Sequence, residues 1–305
     1  MQNYIPLFCL LSIFSFLNSM QIEGVDESRR EWNANDYANS KSKGLSEDMR
    51  KFIKESGIDF ANKKILDIGC GTGSIPAQIA ESAKQVHGID ASKNMIDYAQ
   101  KQYGNIPNVS FEHSSAGAFT SDTAYDYALS MFCLHWIKDK QSAFKCINKS
   151  LKMNGEFIGT TYSSDCTPFS TIVLQELLKK PEWSFINDST IPLEDNLSRY
   201  AISEEEFKDI MRNSGFDVIT YNKKTWTRVF KNRQELDKFR RPICMARPLF
   251  KDLPEEIRES FFKAYIGLWL SKLNKNEDGH YVNKPTEVDF FHARKVAEVN
   301  KGQLS

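Results

Sequence analysis

Hydrophobic positions along this chain switch between two periods, and the switching predicts an architecture. From about residue 45, short apolar runs of strand length at 64–68, 85–90, 108–112, 125–130 and 156–162 are separated by stretches of helical period, notably 73–84 and 141–152. Ser46 is placed to cap a helix presenting Met49, Phe52 and Ile53 on one face, and Ser92 heads another carrying Met95, Ile96 and Tyr98. Asn154-Gly155 breaks the helix over 141–152 and opens the next strand. Strands alternating with helices at this spacing predict an α/β fold built on a doubly wound, mostly parallel sheet, whose ligands sit outside the carboxyl ends of the strands.

After Tyr162 the rhythm loosens through about residue 200, a stretch with Pro168, Pro181 and Pro192 that reads as an insertion. Ser203 with Glu206 three residues on forms a capping box for a helix closing at Asn213-Ser214-Gly215, and a strand over 216–221 follows. Helices over 233–241 and 254–273 then precede a last apolar strand at 288–293. The expected organisation is one domain over 21–305 with helical insertions at about 163–200 and 231–285. Those insertions lie where a lid or an acceptor pocket would cover the carboxyl edge of the sheet.

Composition narrows the classes of function. The 305 residues are 41% hydrophobic and 12% aromatic, enough for a real core. Forty basic residues against forty acidic ones leave no net charge to steer the chain toward nucleic acid or an anionic membrane. The six cysteines (Cys9, Cys70, Cys133, Cys146, Cys166, Cys244) show no short paired spacing and read as reduced thiols. His113, His280 and His292 are isolated, and no metal constellation can be assembled from them. Within the hydrophobic residues 1–20, the apolar run Tyr4 to Leu17 has no preceding positive charge and is shorter than the ~20 apolar residues a membrane span needs. They read either as a signal or anchor segment or as a start assigned upstream of Met20, with no stable membrane insertion expected unless they are retained.

Chemistry concentrates behind the first strand. Ile65-Leu66-Asp67-Ile68-Gly69-Cys70-Gly71-Thr72-Gly73 empties a strand into alternating glycines ahead of a helix, which implies a bound cofactor or anion, since only glycine turns this tightly and lets a ligand approach this closely. The spacing G-x-G-x-G differs from the G-x-G-x-x-G of dinucleotide sites, and no G-K-[ST] follows to make a Walker loop. Asp90 ends the next strand about 20 residues on, where a carboxylate accepts both hydrogen bonds of a ribose diol. Together these residues point to an adenosyl cofactor without a pyrophosphate.

With Gly88-Ile89-Asp90-Ala91-Ser92 as a second motif, the chain resembles the class I S-adenosylmethionine-dependent methyltransferases. The resemblance implies S-adenosylmethionine as cofactor, with Asp67, Gly69, Cys70, Gly71 and Gly73 around its methionine part, Asp90 on the ribose, and Ala91 and Met95 beside the adenine. Ser130 would close the site at the end of the fourth strand. Where that family carries an acidic residue after the third strand this chain has Ser114-Ser115-Ala116, so Ser115 or the backbone of Ala116 would replace it at the adenine amino group.

A narrower likeness runs through Met131-Phe132-Cys133-Leu134-His135-Trp136-Ile137-Lys138-Asp139, which looks like the juvenile hormone acid methyltransferases. The carboxyl-terminal Arg247-Pro248-Leu249-Phe250 run is similar to the trans-aconitate branch, and both branches esterify carboxylates. The expected activity is methylation of the carboxylate of a small organic acid, with a terpenoid acid as leading acceptor. A dicarboxylate, an acyl-carrier thioester, a carbon or nitrogen acceptor, and a cofactor-binding module without turnover stay open. His135 and Trp136 are the candidates for the catalytic position, against the alternative of packed core side chains. Arg247, with Arg241 and Arg240 as alternatives, is the candidate for holding the acceptor, because an ionised carboxylate does not enter a pocket unpaired, and Trp32 and Tyr37, in a segment that the resemblance implies closes over the cofactor, are further candidates beside it. S-adenosylmethionine is made in the cytosol, which makes a cytoplasmic location the expectation; oligomeric state is not legible.

Overall fold

The apolar runs assemble into one seven-stranded sheet whose order puts a topological switch beside the glycine loop. The computed structural model describes residues 32–40, 52, 57–162, 164, 167–186, 200–247, 250 and 253–297. The strands are β1 (Lys64–Ile68), β2 (Gln85–Asp90), β3 (Val109–His113), β4 (Tyr125–Met131), β5 (Leu151–Thr161), β6 (Phe216–Trp226), the short β7 (Val229–Phe230), β8 (Asn274–Lys275) and β9 (Tyr281–Val282), and β10 (Thr286–Lys295). The large sheet runs β3-β2-β1-β4-β5-β10-β6. Strands β1 to β5 pair in parallel, while β10 runs antiparallel between β5 and β6. The order reverses between β1 and β4, where the connections leave in opposite directions and open a crevice.

The helices are α1 (Ala34–Ser40), α2 (Ser74–Ile79), α3 (Lys93–Tyr103), α4 (Lys140–Ser150), α5 (Phe169–Leu178), α6 (Glu204–Asn213), α7 (Arg233–Met245) and α8 (Glu255–Ser271). Caps set where they begin: the side chains of Ser92, Asp139 and Ser203 accept from the backbone of Met95, Ser142 and Glu206. Two cores cover the two faces of the sheet. Phe144, Phe157, Phe207 and Phe291 anchor one, and Ile65, Ile79, Val86 and Leu129 the other. A third core, built on Leu174, Trp183, Phe261, Phe262, Tyr265 and Trp269, belongs to α5, α7 and α8 and makes the lid a packed body in its own right. Each such buried side chain contributes roughly 1.5–3 kcal/mol of transfer free energy.

Several elements differ from the sequence expectation; α7 runs on through Pro242 to Met245 instead of ending at Arg241. Helix α2 stops at Ile79 rather than near 84, because Asn108 Nδ2 donates to the carbonyls of Ala80 and Ala83 and takes the acceptors a longer helix would use. Strand β5 starts at Leu151, before the expected break; Asn154, at φ 63°, sits within it where the pairing with β4 is irregular. Strand β6 runs on to Trp226, because β10 pairs with it as far as Thr286. The helix expected behind Ser46 and the hydrophobic segment 1–20 lie outside the described residues, apart from Phe52, whose ring is 4.7 Å from that of Phe290. No helix among the described residues is long and apolar enough to cross a membrane.

Candidate active site

Two adjoining cavities fill the crevice at the switch, and the glycine loop floors the first. Gly69 and Cys70 both donate to the Ile89 carbonyl, at 2.8 and 3.0 Å, which laces the loop to the end of β2. Gly69 takes φ 72°, and a Cβ there would sit 2.3 Å from Cys133 Sγ, so the position admits no side chain. Gly71 differs: the nearest atom to a Cβ would be Tyr37 Cε1 at 3.9 Å, so its bare backbone faces open cavity. The Asp90 carboxylate is fixed between two backbone donors, Gly71 N at 2.9 Å on Oδ2 and Ser92 N at 2.8 Å on Oδ1. That couples the two sequence motifs in a single hydrogen-bonded unit.

Of the residues expected around the cofactor, Gly69, Gly71, Asp90, Ala91, Met95 and Ala116 line this cavity. Others do not. Cys70 turns away to pack against Gly88, whose added Cβ would meet its sulfur at 2.9 Å, and burial with nearby Asp90 pushes its thiol pKa well up. Gly73 is a packing position, since a Cβ there would lie 2.8 Å from Ala99 Cβ and from the Phe111 ring. Ser114, rather than Ser115, is in the wall. Ser130 Oγ donates to the Ile68 carbonyl inside the sheet, and its neighbours Met131 to Cys133 line the cavity instead.

Asp67 lies fully buried in β1, outside the lining, and its Oδ2 has no hydrogen-bond partner. Burial first, and the Asp90 charge second, raise its pKa from 3.8 to about 7.

The second cavity opens between the sheet edge and the lid. Trp32, Tyr37, Phe132 and Trp136 line both cavities and form the neck between them. Trp32 makes edge contacts with Tyr37 (5.6 Å) and Trp136 (6.1 Å). His135, buried on the short helical turn Leu134–Trp136, lies 4.6 Å from the rings of both Trp136 and Tyr162. Tyr37 is buried near Asp90, and burial, reinforced by that charge, raises its phenol pKa. Phe132 has φ 56°, a left-handed conformation costly for an aromatic residue, and its amide donates to Thr160 Oγ1 at 2.9 Å. The sequence reading passed over it, although the rule that ligands gather past strand ends pointed to this position.

Beyond the neck the cavity is lined by Tyr162, Trp226, Phe239 and Trp269 together with Arg240 and Arg247. Arg247 is 6% exposed, and its Nε and Nη1 have no hydrogen-bond partner. Arg241, one residue from Arg240, is spent elsewhere on a two-pronged pair with Glu259 at 2.6 and 2.7 Å. No group of His, Cys, Asp and Glu among the described residues is able to hold a metal ion.

Residues 42–221 match the family model described as a methyltransferase domain. A protein of Invertebrate iridescent virus 6 named 235L, assumed to be a methyltransferase, is 30% identical over 79% of this chain and 86% of its own. The juvenile hormone acid O-methyltransferase of Bombyx mori is 28% identical over 67% and 72% of the two chains. Among solved structures, the phosphoethanolamine N-methyltransferase 2 of Haemonchus contortus, in complex with S-adenosylhomocysteine, superposes with a TM-score of 0.55 at 20% identity, covering 87% of this chain and 57% of that one.

Proposed function

The chain belongs to the methyltransferase-domain family as a class I S-adenosylmethionine-dependent enzyme, and on that premise we propose that it esterifies the carboxylate of a small organic acid with an apolar body. The observation that carries this reading is Arg247, a buried cation with unpartnered donors in the wall of an aromatic cavity that adjoins the cofactor cavity through a shared neck. A buried guanidinium of this kind calls for an anion. In this reading the backbone at Gly69 and Gly71, with Asp90, Ala91 and Met95, holds the cofactor, which supplies an electrophilic methyl group on a sulfonium. The open space at Gly71 and the fixed Asp90 carboxylate suit an adenosyl group.

The residues of the neck have little proton chemistry to perform. A carboxylate with pKa near 4 is ionised at pH 7 and is already the nucleophile, so the protein has only to aim it and exclude water. Trp32, Phe132 and Trp136 do both by enclosing the neck with ring faces and edges, and His135 buttresses Trp136. The likeness to enzymes named for juvenile hormone acid and for malonyl-[acyl-carrier protein] supports an oxygen acceptor, and a terpenoid acid is one member of the proposed class.

Transfer of a tritiated methyl group to a panel of small acids tests the reading. Incorporation released by mild base, as an ester is, supports it. Base-stable label, or label on the nitrogen of phosphoethanolamine, replaces it with a carbon or nitrogen acceptor. Retained S-adenosylhomocysteine binding without incorporation makes the chain an interaction module.

A further inference from the structure

Two of the arginines that line the acceptor cavity are buried, where a monoacid offsets one. Arg240 and Arg247, 7% and 6% exposed, both line it from the end of α7 and the turn that follows. Arg240 donates from Nη2 to the Tyr265 hydroxyl at 3.0 Å and lies 4.6 Å from the centre of the Trp269 ring, yet its Nε has no partner. Neither guanidinium forms an ion pair with a carboxylate among the described residues, whereas Arg241 beside them is neutralised by Glu259. Burial lowers the pKa of Arg247, and the charge on Arg240 pushes it the same way, so the two cations are close enough to repel. Neither lines the cofactor cavity.

We propose that the acceptor is a diacid, one of whose anionic groups stays with Arg240 and Arg247 as a spectator while a second carboxylate, at the Phe132–Trp136 neck, takes the methyl group. This deepens the carboxyl-methylation reading and rests on it. The charge balance of the reaction is the reason. The carboxylate oxygen bonds to the methyl carbon as the carbon–sulfur bond breaks with its electron pair left on sulfur, so an anion becomes a neutral ester and no proton moves.

If the arginine-held carboxylate were the one methylated, the product would leave two guanidiniums buried without a counter-charge, at a cost of several kcal/mol. Its oxygens, tied up by charge-assisted hydrogen bonds, would also be the poorer nucleophiles. A spectator anion avoids both penalties and makes the monoester the end product.

The test uses the full chain saturated with S-adenosylhomocysteine, titrated calorimetrically with straight-chain diacids from succinate to sebacate and with the monoacids of equal carbon number. At matched length the best diacid is expected to bind at least about tenfold more tightly than its monoacid. Arg247→Gln and Arg240→Gln are each expected to remove most of that advantage. With S-adenosylmethionine the product of a diacid should be monoester alone by mass. Monoacids bound as tightly as diacids by the unaltered protein, or a diacid advantage that survives both substitutions, overturns the proposal, and the first comparison needs no variant to fold. Base-labile transfer to both kinds of acid with equal efficiency sinks only the diacid, whereas absence of transfer to any carboxylate sinks the function beneath it.

Discussion

The two cavities meet at four aromatic side chains and are built by opposite means. Outside the shared rings, the cofactor side is made largely of backbone and small or aliphatic side chains, eight of them from the single stretch 68–95, laced together by backbone amide donors. The acceptor side is made of long side chains contributed by Tyr162, Trp226, Phe239, Arg240, Arg247, Trp269 and Asn283, which meet only because the lid packs over the sheet. The first surface is determined by local conformation and changes hardly at all without breaking the loop. The second changes with any one substitution, which is how one fold comes to serve many acceptors.

Substitutions on either side should therefore have separable effects. The largest is expected at Asp90→Ala, which removes the carboxylate that joins the two motifs. S-adenosylhomocysteine affinity by calorimetry should fall about 10²- to 10³-fold, since hydrogen bonds to a charged group are worth about 1.5–3 kcal/mol each, while acid binding stays within about threefold. A loss shared equally between the two ligands would erase the division.

Gly69→Ala comes next. The left-handed conformation costs about 1–2 kcal/mol, and the collision with Cys133 Sγ adds to it. In denaturant unfolding, a concurrent Cys133→Ala should recover only the part of the collision due to the sulfur, because Cys133 Cβ would still lie 2.5 Å from the added Cβ, and it should leave the conformational part; full recovery would mean that the turn is not strained.

On the acceptor side the sign reverses. Without ligand, Arg247→Met should raise stability by about 1 kcal/mol, because a buried unpartnered cation is replaced by an apolar side chain of similar length. A fall in Tm would show that the guanidinium has a structural partner.

Beneath the loop the expected effect is one of pH. The Asp67 carboxyl titrates near 7 in the folded chain against 3.8 when exposed. Between those values the folded state keeps a proton that the unfolded state releases. Stability should thus decline as pH rises from about 4 to 7 and change no further on this account above 7. Asp67→Asn should flatten that part of a Tm-against-pH curve, and an unchanged slope would place the titration elsewhere.

The smallest effect is expected at His135→Ala. A general base contributes about 10²- to 10⁴-fold, whereas a ring that only braces Trp136 should cost kcat less than about tenfold, with no change in the pH profile. A loss in the former range would make His135 a proton acceptor and bring acid–base chemistry into the neck.

The cofactor half was readable from order alone: apolar run, glycines, Asp90 at the end of the next strand and Ser92 heading a helix all lie within thirty or so residues, a separation over which the geometry of a β-α-β unit dictates distance. Even there the reading blurred at single residues. Cys70, Gly73 and Ser130 sit in the right segments but are taken up by packing and the sheet, and Ser115 falls outside the lining, because side-chain direction depends on what lies behind the loop as well as on its sequence. Phe132 and Tyr162 were missed for the same reason, being ordinary aromatics until the fold turns them toward the neck. Arg247 was singled out by its place in the lid, and Arg240 and Arg241 are neighbours in sequence. Only the packing of α7 against α8 decides that Glu259 neutralises Arg241 while Arg240 faces the cavity.

By itself the sequence determined the doubly wound sheet, the place of the glycine loop within it and the kind of cofactor, since the order of apolar runs and glycines carries all three. The tertiary structure alone decided which buried cations of the second cavity have no carboxylate partner among the described residues, because that is a property of side chains distant in the chain and close in space.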